Sequence, residues 1–226
     1  WNPRTGERTD LLFKNVSGAV RLFDWSPDGQ RILFRIFNAA VQQLYIHDFT
    51  TSETTALHAP AGVHMDPCFA PGGKEIYSRW ESPTQRSCLV ALSARSGELL
   101  RKLISAAEMP PGHDWNSITL PSSDGQSVQA WLGLPDGMGP FPTIIDIHGG
   151  PHNMVSNYFS PDAQAWLDHG FAYCAVNYRG STTFGREFEQ KIWGRPGQWE
   201  LEDLVAARAW LIEKNDYPRE PLQQAW

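Results

Sequence analysis

The 226-residue sequence contains no Gly-x-Ser-x-Gly, the pentapeptide that holds a serine nucleophile on a tight strand-to-helix turn. It has no zinc-ligand spacing and no P-loop. Its three cysteines, Cys68, Cys88 and Cys174, are too few and too scattered for a metal site or a disulfide framework, and they read as buried or half-buried thiols. A reducing compartment follows, and the expected location is cytoplasmic. Excess positive charge is missing too. Nineteen Lys and Arg against 25 Asp and Glu leave a net charge of -6, which argues against a nucleic-acid partner. No apolar run approaches the roughly 20 residues that span a bilayer, so no membrane partner is expected. Neither a cofactor nor a metal is expected. The chain opens at Trp1 rather than Met, so a signal peptide upstream stays an open alternative.

Apolar residues make up 41% of the chain and aromatics 12%, with ten tryptophans, enough for substantial cores in one large or two modest domains. The first half repeats at an offset of 44 residues. Phe23-Asp24-Trp25-Ser26-Pro27-Asp28-Gly29 aligns with Pro67-Cys68-Phe69-Ala70-Pro71-Gly72-Gly73, and Leu44–Asp48 aligns with Cys88–Leu92. Arg4-Thr5-Gly6-Glu7 resembles the end of a preceding copy. Each unit reads as short strands joined by turns, with proline setting φ and glycine supplying positive φ. Units of this length with about four strands are characteristic of β-propeller blades. A small sandwich of unrelated hairpins is the alternative.

Met109-Pro110-Pro111-Gly112-His113 reads as a linker. Beyond it, Ser117–Leu120 and Val128–Leu134 form a strand pair about the turn Ser122-Ser123-Asp124-Gly125. A Gly- and Pro-rich surface loop from Pro135 to Pro142 leads into Thr143–Ile147, read as a buried strand. Ser160-Pro161-Asp162 opens a helix that carries Trp166 and Leu167 on its apolar side and stops at Gly170. Phe171–Tyr178 is a second buried strand. Trp199–Lys214 is a helix, with Leu201, Leu204, Val205, Leu211 and Ile212 at helical spacing and acids at its start. Strand, helix, strand, helix predicts a parallel α/β arrangement.

The strand Thr143–Ile147 runs straight into His148-Gly149-Gly150-Pro151. Only glycine lets a backbone turn so sharply and come so close to a substrate. In α/β-hydrolases a glycine-rich loop after the third strand supplies one N–H of the oxyanion hole.

Together these motifs resemble the prolyl oligopeptidase family. The features are propeller-type repeats, the Ser-x-Asp-Gly strand pair, His148-Gly149-Gly150-Pro151, Asn177-Tyr178-Arg179-Gly180-Ser181, and Trp193-Gly194 before an acid-started helix. The His-Gly-Gly-Pro form is most similar to the acylaminoacyl-peptidase and dipeptidyl-aminopeptidase branch. The resemblance implies a propeller that screens substrates by size, followed by an α/β-hydrolase domain with a Ser-Asp-His triad. The expected fold is therefore partial β-propeller blades over residues 1–108, a linker over 109–116, and the N-terminal half of an α/β-hydrolase domain over 117–226. Residues after Asn215 do not read as the strand that should carry the serine, so all three triad residues are expected beyond Trp226. On this reading the chain is an inactive fragment of a peptidase, and the Ile-rich edge of strand 143–147 lies open.

The expected site residues are Gly150, as the oxyanion N–H donor, and Gly149, as the residue that permits the turn. His152 and Tyr178 are candidates for substrate contact. His148 is expected to pack and hold the loop. Ser181 lacks the nucleophile elbow and is expected to make loop hydrogen bonds. Arg179 is expected in a structural ion pair, with Asp203 or a neighbouring acid, and Trp193 and the Glu187/Glu189 region beneath the site. The expected partner is a short peptide substrate, with a homo-oligomer allowed for the full-length protein. An esterase of the same fold and a non-catalytic propeller-containing binding protein are the alternatives.

Overall fold

A computed structural model describes residues 3–8, 10–11, 13, 18–107 and 109–214. The residues expected to break the strand pattern after Asn215 lie outside it. Three four-stranded sheets account for all its described strands.

The first sheet is an antiparallel meander of β1 (Ala19–Trp25), β2 (Arg31–Asn38), β3 (Val41–Asp48) and β4 (Glu53–Ala56). The second repeats it with β5 (Val63–Phe69), β6 (Glu75–Ser82), β7 (Gln85–Ser93) and β8 (Leu99–Ile104). Strands β1, β2 and β3 begin 44 residues before β5, β6 and β7, the offset seen in the sequence. The turns repeat as well. Gly29 N–H donates to Ser26 O and Gly73 N–H to Ala70 O, both at 2.8 Å, with φ of 70° and 66°. A further matched pair is Gly18 and Gly62, each at positive φ, where a Cβ would strike the carbonyl of Phe37 or of Glu81. Both glycines are required by the close approach of the next strand. Leu33, Leu44, Ile76, Val90 and Leu92 fill a core shared by the two sheets.

The third sheet has the order β11-β12-β10-β9, built from β9 (Trp115–Pro121), β10 (Ser127–Gly133), β11 (Thr143–Ile147) and β12 (Ala172–Asn177). The hairpin β9–β10 is antiparallel, and β11 and β12 are parallel. Strand β9 begins at Trp115, two residues ahead of the expected start. Helix α1 (Pro161–Asp168) forms the crossover between β11 and β12, capped by Ser160, whose Oγ accepts from Ala163 N–H at 3.3 Å. The short α2 (Arg186–Gln190) had no clear signal in the sequence. Helix α3 (Trp199–Glu213) covers the opposite face from α1, packing Ala207 and Leu211 over Leu120, Val128 and Val176. No helix among the described residues is long and apolar enough to cross a membrane.

Several burial expectations need correction. Strand β11 is only half-buried, because it is the sheet's edge and has one neighbour among the described residues; Ile147 is exposed. Trp166 is exposed and packs edge-on against Phe171, while Leu167 alone turns into the core. On α3 the inward positions are Asp203, Ala207 and Leu211, with Leu204 beside them; Leu201, Val205 and Ile212 face outward. The apolar residues of α3 therefore form two stripes rather than one. Cys68 is exposed because a bulge interrupts the β5–β6 register between Met65 and Cys68.

The repeat-equivalent turns β2–β3 and β6–β7 both dock on the α/β unit. Ala39 N–H donates to Thr183 O and Ala40 N–H to Thr183 Oγ1, each at 2.9 Å. Ala39 and Ala40 sit at φ of 47° and 61°, a conformation non-glycine residues adopt at a cost, here held by Thr183. In the second turn, Pro83 O accepts from Gln164 Nε2 at 3.2 Å.

One buried ion pair ties the α/β unit together. Arg179 and Asp203 are both fully buried. Arg179 donates to Asp203 from its backbone N–H at 2.7 Å, from Nε at 2.9 Å and from Nη2 at 2.6 Å. It also donates to Asp124 and Ser122 in the β9–β10 turn, at 2.6 and 2.8 Å, and lies over the Trp199 ring at 4.4 Å. Burial works against its charge, but the hydrogen bonds and charges of Asp203 and Asp124 outweigh it and hold the guanidinium above its ordinary pKa. The expected ion pair is thus present, with four partners rather than one. Replacing Asp203 by Ala strands a buried cation, and the expected loss of stability is about 3–5 kcal/mol, read as a lower midpoint of chemical denaturation. A loss below about 1 kcal/mol would show that water or another acid replaces Asp203.

Candidate active site

The carboxyl ends of β11 and β12 lie side by side in parallel, where open α/β sheets bind their ligands. The loop from His148 to Asn153 leaves β11 at this edge. Gly150 takes φ of 138°, a region closed to most side chains, and the Gly150-Pro151 bond is cis. A Cβ on Gly150 would also lie 3.0 Å from that of Asn153, whereas one on Gly149 would meet open space. Gly150 therefore makes the turn, the role expected of Gly149. Both glycines are exposed, and neither N–H has an acceptor among the described residues. Two free N–H groups at this edge can bind an oxyanion without first breaking other bonds.

The loop is held from below by residues at the end of β12. Tyr178, expected at the substrate, is buried instead. Its hydroxyl donates to His148 O at 2.5 Å, and its ring stacks on the His148 imidazole at 4.5 Å. Burial, then the charge of Glu200, raises the Tyr178 phenol pKa, so it stays a donor. His148 holds the loop as expected. Its Nε2 lies 2.8 Å from Ser181 Oγ and its Nδ1 3.0 Å from Gly149 O.

The Ser181–His148 pair has the spacing of a nucleophile and its base, but the serine is fully buried. Ser181 Oγ–H donates to Tyr178 O at 2.6 Å, which ties the hydroxyl to the backbone. A hydroxyl held in this way, without access to solvent, does not reach a substrate carbonyl. Burial also pushes the His148 pKa down, against smaller opposing effects of Gly149 O and Asp146. The pair is a structural brace, in line with the loop role expected of Ser181.

His152 stands at the outer side of the loop. Trp193 Nε1–H donates to its Nε2 at 2.9 Å, and its Nδ1 faces Glu189 at 3.4 Å. Indole is a donor only, so this contact fixes the proton on Nδ1. Trp193, expected beneath the site, is 61% exposed and forms part of its rim.

Asn177, named in the sequence only as part of a motif and given no site role, positions the rest of the loop. Fully buried, it accepts from Val155 N–H and donates to Val155 O, both at 2.8 Å, and donates to Gln129 at 2.5 Å. Trp131 Nε1–H reaches the same carbonyl at 2.9 Å. A polar residue closing an apolar strand, Asn177 after Ala172–Val176, is the sequence signal that marks it. Among the described residues no group of His, Cys, Asp or Glu could hold a metal ion.

Residues 157–221 match the model of the prolyl oligopeptidase family, Peptidase_S9. The uncharacterized peptidase YuxL of Bacillus subtilis (strain 168) is 33% identical over 99 residues, covering 42% of this chain and 15% of that protein. The acylamino-acid-releasing enzyme of Homo sapiens is 24% identical over 225 residues, covering 91% of this chain and 31% of that one. A puromycin-hydrolyzing peptidase of Mycobacterium tuberculosis shares the fold, with a TM-score of 0.70 and 22% identity over 84% of this chain and 31% of that chain. The chain thus spans less than a third of the length of each of these proteins. With an oxyanion-type loop at the carboxyl edge of its mixed sheet, the chain is similar to the prolyl oligopeptidase family of serine peptidases, whose model matches residues 157–221.

Proposed function

We propose that this chain supplies one half of the active site of a serine-type peptidase that hydrolyses short peptides. The reading rests on one observation: the Gly149–Gly150 loop presents two unbonded N–H groups at the carboxyl edge of the sheet. In this reading a serine attacks the scissile carbonyl, a histidine accepts its proton, and the Gly150 N–H holds the developing oxyanion. No residue of this chain is assigned as the serine, acid or histidine in this reading. His152, Glu189 and Trp193 form a rim at which the peptide can be held.

The two repeated meanders, residues 1–108, serve as blades of a β-propeller that limits substrates by size. Residues 109–116 link them to an α/β-hydrolase unit beginning at 117. The docking of both repeat turns on that unit supports a propeller face set against the active site. Free thiols at Cys68, Cys88 and Cys174 suit a reducing, cytoplasmic setting. The presence of acylamino-acid-releasing enzymes and a dipeptidyl aminopeptidase among similar proteins supports action near peptide ends.

Two outcomes are expected. In the full-length protein, Gly150→Ala keeps the N–H but not φ of 138°, so the loop turns and the donor is misaimed. The kcat falls by about 10²–10³, the usual cost of losing one oxyanion donor; a kcat within twofold of the parent would remove Gly150 from the oxyanion hole. A fluorophosphonate probe labels the full-length protein but not the 226-residue chain alone, and labelling of the isolated chain would place a reactive nucleophile within it.

A further inference from the structure

A cavity of about 430 Å³ opens where the two repeated sheets meet the segment that follows the glycine loop. Met154, Ser156 and Tyr158 form its wall on the α/β side. The opposite wall carries three arginines, Arg21, Arg35 and Arg79. Arg21 and Arg35 are direct cross-strand partners on β1 and β2, an arrangement in which like charges repel. Arg79 occupies in the second repeat the place that Arg35 holds in the first, each the fifth residue of its strand.

None of the three is neutralised by an ion pair among the described residues. Arg21 and Arg35 lie over the Phe23 ring at 5.4 and 5.5 Å, and Arg79 donates at 2.9 Å to the sulfur of Met65, a weak acceptor. Burial, then the charge of Arg21, pushes Arg35 below the ordinary guanidinium value. Asp66 and Glu81 are the carboxylates on the same wall, leaving three cations against two anions. Glu81 is itself biased toward its neutral form, since burial raises its pKa more than Arg79 lowers it. Ser156 gives an independent sign of a missing ligand. Ser156 lines the cavity and is only 3% exposed, and its Oγ has no hydrogen-bond partner among the described residues.

We propose that this cavity is a carboxylate-binding subsite that fixes one end of the peptide substrate. Arg35 and Arg79 bind the carboxylate, Arg21 adds charge, and Ser156 donates a hydrogen bond from the opposite wall. Such charge-assisted bonds discriminate strongly once they are removed from water. The cavity is also within reach of the glycine loop. Met154 is four residues from Gly150, so their Cα atoms are at most about 14 Å apart, a span of about four extended peptide residues. The carboxylate is either a free C-terminus or an acidic side chain, because both present the same group. The proposal rests on the peptidase reading for its substrate but not for its chemistry.

The test uses the full-length protein and three otherwise identical alanine tetrapeptides: the free acid, the C-terminal amide, and the amide with Glu at the last position. Calorimetry gives binding and product release gives kcat/KM. One carboxylate-bearing peptide or both should bind about tenfold more tightly than the plain amide, and the preference should fall to near unity in Arg35→Gln and in Arg79→Gln. Preference for the free acid alone assigns the C-terminus, and equal preference for the Glu amide assigns the side chain. Arg79 is exposed, so Arg79→Gln keeps the test valid if Arg35→Gln fails to fold. Equal binding of all three peptides, or a preference that survives both substitutions, would overturn the proposal. Selective binding with no hydrolysis of any peptide would overturn the peptidase reading and leave the subsite standing.

Discussion

The α/β unit depends on the buried Arg179–Asp203 pair. A guanidinium cannot stay in a protein interior without close, well-oriented acceptors, so its position fixes theirs. It fastens the end of β12 to the second turn of α3 and to the β9–β10 turn, elements distant in sequence. The chain leaves this anchor through Gly180 directly into Ser181, whose Oγ lies 2.8 Å from His148 Nε2. His148 and Tyr178 then stack beneath the glycine loop. The geometry of the candidate oxyanion loop thus traces back, through four adjacent residues, to one ion pair. Replacement of that pair by apolar residues could preserve stability, but it would release the strand end from the loop it supports.

Much of this was legible in the sequence because it is written in local chemistry. The 44-residue repeat, the Pro-Asp-Gly and Pro-Gly-Gly turns, the Ser160 cap and the Gly149–Gly150 turn each follow from residues adjacent in the chain. Arg179 could be assigned to an ion pair because a cation at the end of a buried strand needs a carboxylate. Its sharing among Asp203, Asp124, Ser122 and Trp199 could not be read, since those residues meet only in three dimensions. The burial of β11 was overstated for a related reason. An Ile-rich run reads as interior, but burial depends on which strands flank it, and among the described residues β11 has only β12 beside it. The two apolar stripes of α3 likewise looked like one strong face until the sheet selected Ala207 and Leu211.

The repeated sheets and the α/β unit meet through matched parts. The same turn position in each repeat reaches across, once to Thr183 and once to Gln164. The same strand position in each repeat places an arginine at the shared cavity. Duplication therefore supplies both the contacts that orient the sheets and the charge that faces the site. The loop from Gly150 to Tyr158 joins these features, with oxyanion-type N–H groups at one end and the cavity wall at the other.

The most direct measurement is a crystal structure of the full-length protein with a peptide boronate bound to its nucleophile. The tetrahedral oxygen should lie about 2.7–3.1 Å from the Gly150 nitrogen, with His148 and Tyr178 still stacked below the loop. An oxygen held by other donors, with the Gly150 N–H turned to solvent, would contradict the role assigned to this loop.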